Sequence, residues 1–167
     1  MKKQLIAGII AIIVIAAGFL LYYEFIDNTG SVNVKVADAP NGNVSAVYIT
    51  FDAVYMHSST AGWKNYSIGS KTVNILHLTT TNASLLSSIN IPPGKYTMIR
   101  LAIVNVTVKI GMLSFAFTSS NGYVDIVAPF TVTAHASTTL VIDFNLTQDL
   151  NMQSQIFTPT ASMVVNP

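Results

Sequence analysis

The chain has 167 residues, 51% of them hydrophobic and only 9% charged, with a net charge of +1 and no cysteine. A balance this close to neutral gives no electrostatic case for a nucleic-acid partner. The lack of cysteine excludes disulfides, zinc thiolates, a thiol nucleophile and a lipidated-cysteine anchor.

Residues 5–23, LIAGIIAIIVIAAGFLLYY, carry no charge. As a helix at roughly 1.5 Å per residue this run spans about 28 Å, close to a bilayer core of about 30 Å. Lys2 and Lys3 precede it, and Glu24 and Asp27 follow. The positive-inside rule then predicts a single-pass protein of the cell membrane: residues 1–4 cytoplasmic, 5–23 a transmembrane anchor, 24–29 a linker and 30–167 an extracellular domain. The rival reading is a cleaved signal peptide. The apolar run is longer than the usual h-region of about 7–15 residues and continues past Ala16, Ala17 and Gly18, which favours the anchor.

From Gly30 onward the apolar residues recur with period 2. SVNVKV alternates Val32, Val34 and Val36 with Asn33 and Lys35, a half-buried strand. Pro40 and Gly42 turn the chain, and the next strand puts Val47, Ile49 and Phe51 on one face and Tyr48, Thr50 and Asp52 on the other. Residues 73–88 are compatible with a helical turn. KYTMIRLAIVNVTVKI reads as one long strand, or two joined by a bend, with Ile99, Leu101 and Ile103 inward and Tyr96, Met98 and Arg100 outward. Asn121-Gly122 is the positive-φ pair of a tight hairpin, so the strands around it are expected to pair. FTVTAH and TTLVIDFNL are expected to form a further pair, and Pro159 marks an edge position near the end. Short strands with turns between them predict an all-β, immunoglobulin-like or prealbumin-like sandwich with one N-terminal transmembrane helix.

Chemistry-bearing residues are sparse. His57, His77 and His135 lack metal-ligand spacing, and the aspartates lack calcium-loop clustering. No Gly-x-Ser-x-Gly elbow or phosphate-binding glycine loop is present. No catalytic, cofactor or metal residues are therefore assigned. Asn-x-Ser/Thr sequons begin at Asn43, Asn65, Asn82, Asn105 and Asn145, and are candidate glycosylation sites. Asn43, Asn65 and Asn82 read as loops and Asn145 as outward-facing. Asn105 shares parity with Ile103 and points inward unless the strand bends. Arg100, alone in an apolar strand, is expected to form a structural ion pair with Asp52 or Asp143, which lie on the corresponding faces of their strands.

Several stretches occur in order: GSVNVKVADAP, then VSAVYITFDAVYMH followed by Gly62-Trp63, IPPGKYTMIRL, and PFTVTAHASTTLVIDFNL. In this order they resemble a family of uncharacterised extracytoplasmic domains of archaea and bacteria. Ala37 stands where that family usually has Thr, and Pro93 where it often has Ala. The resemblance spans roughly residues 30–165 and implies a secreted or membrane-tethered β-domain in which Arg100 belongs to the common framework. It implies no activity.

The expectation is a membrane-anchored, non-enzymatic envelope protein displaying a binding or adhesion domain to a surface layer, a glycan or another envelope protein. Two alternatives stay open. One is a self-assembling filament subunit, pilin-like or strand-exchanging through SVNVKV. The other is a secreted sandwich with an enzymatic site. The scarcity of ionisable groups suits an acidic exterior; a neutral, glycan-covered surface is the plainer alternative.

Overall fold

The computed structural model describes residues 2–38 and 44–166, and within the helix α1 (Lys2–Asp27) the side chains of residues 8–22. The strands are β1 (Gly30–Asp38), β2 (Ala46–Ser58), β3 (Gly62–Asn74), β4 (Ser84–Ile91), β5 (Gly94–Ile110), β6 (Leu113–Ser119), β7 (Tyr123–Val132) and β8 (Ser137–Phe144). A single turn, α2 (Leu146–Asp149), leads to β9 (Leu150–Asn151), β10 (Ile156–Phe157) and β11 (Ala161–Asn166). The protein is an all-β sandwich. One sheet has the order β11-β8-β1-β4; the other runs β3-β2-β5-β6-β10-β9, with β7 also paired to β5.

The valines of SVNVKV form the centre of the smaller sheet. β1 runs parallel to β8 and antiparallel to β4, so its backbone is paired on both sides. Val32, Val34 and Val36 are fully buried and meet Val47, Ile49, Phe51, Ile99 and Leu101 of the larger sheet in one core. Phe144 sits between Phe51 and Phe157, with ring centroids 6.2 and 6.5 Å away. Withdrawing β1 for strand exchange would open this core. The unpaired edges of its sheet are β4 and β11, and β11 follows Pro159 as an edge strand should.

Two expected pairings are corrected. β6 and β7 do not pair with each other: both lie antiparallel to β5, at its C-terminal and N-terminal halves respectively. They form one interrupted arm of a long hairpin. Its two-residue turn is Gly111-Met112, joining Ile110 to its partner Leu113, with Gly111 at φ +57°. Asn121-Gly122 instead forms a jog in that arm, and the Gly122 carbonyl accepts from Ile103 N–H at 2.8 Å. Nor does β7 pair with β8. The chain crosses between the sheets there, because β8 finds β1 and β11 in the smaller sheet.

Bulges explain where the period-2 reading drifts. The β2–β5 register skips at Asp52, so the buried set changes from Val47, Ile49 and Phe51 to Val54 and Met56. A second irregularity lies between Tyr96 and Met98. It turns Tyr96, expected outside, into the core, where it stacks on Phe130 at 5.2 Å and donates its hydroxyl to the Pro92 carbonyl at 2.9 Å. A third sets Thr50 against Asn105 and Phe51 against Ile103, leaving Val104 out of the ladder. This is the bend that brings Asn105 to the surface. Of residues 73–88, compatible with a helical turn by sequence, 75–83 form turns between β3 and β4 and the remainder belong to those two strands.

Candidate functional site

The larger sheet has an outer face that no other element covers among the described residues, and its register places the polar and aromatic side chains in rows. Arg100 of β5 lies between Tyr55 of β2 and Asp125 of β7, and Tyr55 in turn faces Asn65 of β3. The row on one side reads Trp63, His57, Met98 and Val127; the row on the other reads Ser67, Ala53, Ala102 and Tyr123. Because cross-strand neighbours stand about 4.5–5.5 Å apart, these twelve side chains form one platform.

Arg100 organises it. Its Nε donates to Asp125 Oδ1 at 2.5 Å and its Nη2 to Oδ2 at 2.7 Å, a bidentate pair. The guanidinium carbon lies 3.9 Å from the Tyr123 ring centroid and 5.0 Å from that of Trp63. Stacking on aromatic faces and a planar fork on a carboxylate are both properties of arginine that lysine lacks. The hydrogen bond to Asp125 raises the Arg100 pKa further above its ordinary value, against a smaller opposing effect of burial. Trp63 meets His57 edge-on at 5.1 Å, and His57 Nδ1 shares a hydrogen bond of 2.8 Å with Thr97 Oγ1. Trp63 nevertheless remains 42% exposed.

The expected partners of Arg100 are thus replaced. Asp52 occupies the β2 bulge and faces no residue across the ladder, and Asp143 belongs to β8 in the other sheet. Asp143 instead lines an open cleft of about 390 Å³ with Asn145, Thr160 and Ser162. Beside it, buried Asp149 accepts from Thr160 Oγ1 at 2.6 Å and Thr160 N–H at 3.0 Å. Burial raises the carboxyl pKa of both Asp143 and Asp149, in Asp149 against the pull of those Thr160 hydrogen bonds and of the Asn145 backbone.

The sequons are dispersed. Asn65 is exposed in edge strand β3 rather than in a loop, and Asn82 lies in a turn where its side-chain oxygen accepts from Thr79 N–H and Thr79 Oγ1. Asn145 is half-buried at the start of α2, and Asn105 is exposed. Asn43 lies outside the described residues. Among the described residues, no group of three or more His, Asp or Glu is placed to hold a metal ion. Sequence reasoning left Asp125, Tyr123, Tyr55 and Trp63 without a role. The alternation of Tyr123, Asp125 and Val127 with buried Val124 and Ile126 was the signal available for the first two.

The model of a protein family described as a domain of unknown function (DUF4382) matches residues 29–163. No curated protein and no solved structure matches the chain. The chain belongs to the DUF4382 family, whose description assigns no activity.

Proposed function

We propose that this member of the DUF4382 family is a non-enzymatic envelope protein, held in the cell membrane by α1, that displays the Arg100 platform outside the cell. The observation that carries the binding role is the platform itself: Tyr55, Tyr123 and Met98 around the fixed Arg100–Asp125 pair, on the outer face of the larger sheet. Aromatic residues, methionine and arginine are the types enriched where protein surfaces meet partners. Its partner is a surface layer, a glycan or another envelope protein, and the sandwich is of the immunoglobulin-like or prealbumin-like kind.

The anchoring role rests on α1. Ile9, Ile10, Ile12, Ile13, Val14 and Ile15 are each at least 50% exposed. At 100° per residue these six positions point to all sides of the helix. A helix apolar all round needs lipid or protein around it. Among the described residues no helix is long and apolar enough to cross a membrane, and in α1 the described side chains are those of residues 8–22. The proposal extends the span over residues 5–23, with Lys2 and Lys3 in the cytoplasm.

Binding of the detergent-solubilised full chain to isolated envelope material tests the platform. Tyr123→Ala and Met98→Glu should each weaken binding at least tenfold while leaving the circular dichroism spectrum unchanged. Undiminished binding by both would refute the platform as the binding face.

One observation favours self-assembly as a second reading. β4 (SLLSSINI) and β11 (ASMVVN), the two edges of the smaller sheet, contain no charged residue and no proline. Such edges lack the usual protection against pairing with another chain. Light scattering that shows concentration-dependent polymers of the solubilised protein would support a filament subunit; a monomer at every concentration would oppose it.

A further inference from the structure

We propose that Asn65 carries an N-linked glycan whose first sugar ring lies against Trp63. The inference rests on the extracellular display proposed above. Trp63 and Asn65 are two residues apart in β3, so both project from the outer face of the larger sheet, about 6.6 Å apart along the strand. Both are exposed, and β3 is the edge strand, so no further strand crowds them from outside. Asn65, Tyr66 and Ser67 form the acceptor sequon.

The asparagines of the other described sequons are placed differently. Asn82 uses its side-chain oxygen to close a turn on Thr79, Asn145 is half-buried beside α2, and Asn105 lies at a bulge. Among the described residues the side-chain amide of Asn65 has no hydrogen-bond partner. Its cross-strand neighbour is Tyr55, and its neighbour along the strand face is Trp63.

Trp63 is held ready for a ring-shaped ligand. His57 abuts it edge-on at 5.1 Å and is itself tied to Thr97, while the Arg100 guanidinium lies over one face of the ring, 5.0 Å from its centroid, so the sugar takes the opposite face of this half-exposed indole. A pyranose presents a face of C–H groups, weakly positive at hydrogen, that complements the negative face of an indole. Because the indole is already fixed, seating the sugar orders little further. The transfer forms a bond from Asn65 Nδ2 to the anomeric carbon of a sugar linked to a polyprenyl phosphate in the membrane. That carbon's bond to the phosphate oxygen breaks, the amide proton leaves with the released phosphate, and nothing is oxidised or reduced.

Trp63 is the single tryptophan of the chain, so its fluorescence reports the seat directly. The test uses full-length protein purified from the membranes of the cells that make it. Trypsin cleaving after Lys64 and Lys71 releases residues 65–71, and this peptide should carry a saccharide mass that is absent from Asn65→Gln protein. Removing the saccharide from the intact protein should shift Trp63 emission to the red and increase its quenching by acrylamide, to match Asn65→Gln. A peptide found solely unmodified overturns the proposal, as does a saccharide whose removal leaves emission and quenching unchanged. Labelling whole cells with a membrane-impermeant amine reagent separates the two readings. An unmodified Asn65 on labelled protein sinks the glycan seat alone, whereas protein labelled only after lysis sinks the extracellular display as well.

Discussion

Arg100 and Asp125 face each other in register across β5 and β7 and meet through two hydrogen bonds of 2.5 and 2.7 Å. Their side chains are 30% and 31% exposed, so water screens the pair in part. Asp125→Asn should lower stability by about 0.5–1 kcal/mol, in the upper range of exposed pairs because the geometry is bidentate. Arg100→Ala also removes both aromatic contacts and should cost about 1–2 kcal/mol. Urea denaturation of the two single variants and the double variant checks this through a coupling of about 0.5–1 kcal/mol. Asp52→Asn should show no such coupling to Arg100.

The Tyr66 hydroxyl is buried with no hydrogen-bond partner among the described residues, and burial, with a smaller effect of Tyr96, pushes its pKa up to about 12. Leaving such a group unsatisfied costs about 1–3 kcal/mol. Tyr66→Phe removes the hydroxyl and keeps the ring, so it should raise stability by about 1 kcal/mol. A rise in melting temperature checks it.

Burial raises the pKa of Asp143 and Asp149 above the ordinary carboxylate value. A carboxyl whose folded pKa exceeds its unfolded one binds its proton more tightly when folded, so protonation favours folding. Stability from these groups therefore grows as pH falls through the raised folded values. It stops growing below about 4, where the unfolded carboxylates are protonated as well. In an Asp125→Asn background, which removes the ion pair, the urea midpoint should rise as the pH falls from 7 to about 4. Asp143→Asn should reduce that rise.

Gly30 opens β1 beside the end of β7. A Cβ there would stand 2.4 Å from the Thr133 carbonyl oxygen and 2.6 Å from Val132 Cγ1. The carbonyl belongs to the backbone and cannot swing aside, so Gly30→Ala should cost about 1–3 kcal/mol as overpacking. A calorimetric scan of the two proteins checks it.

The inward valines of β1 and the buried Ile99 and Leu101 were legible because alternation directly reports a half-buried strand. Pairing was not, because it depends on which sheet a strand joins. Reading Asn121-Gly122 as a hairpin turn paired β7 with β6 and hid Asp125, although its outward parity was visible. Parity also placed Asp143 on an outer face, but on that of the wrong sheet. Tyr96 was misplaced by a bulge, which inserts one residue without changing the composition of the strand. The platform was illegible for the same reason: Trp63, Tyr55, Arg100 and Tyr123 come from four strands and meet only once the register is known.

The proposed function requires α1 to hold an otherwise independent sandwich on the outer side of the membrane. Sealed right-side-out vesicles carrying the full chain test it, washed with alkaline carbonate and then treated with an external protease that cuts near residues 24–29. The chain should stay in the membrane pellet through the wash. Protease should then release a soluble, cooperatively melting β-domain starting near Gly30. Protein extracted by the carbonate, or a sandwich that stays protected until the vesicles are opened, would contradict it.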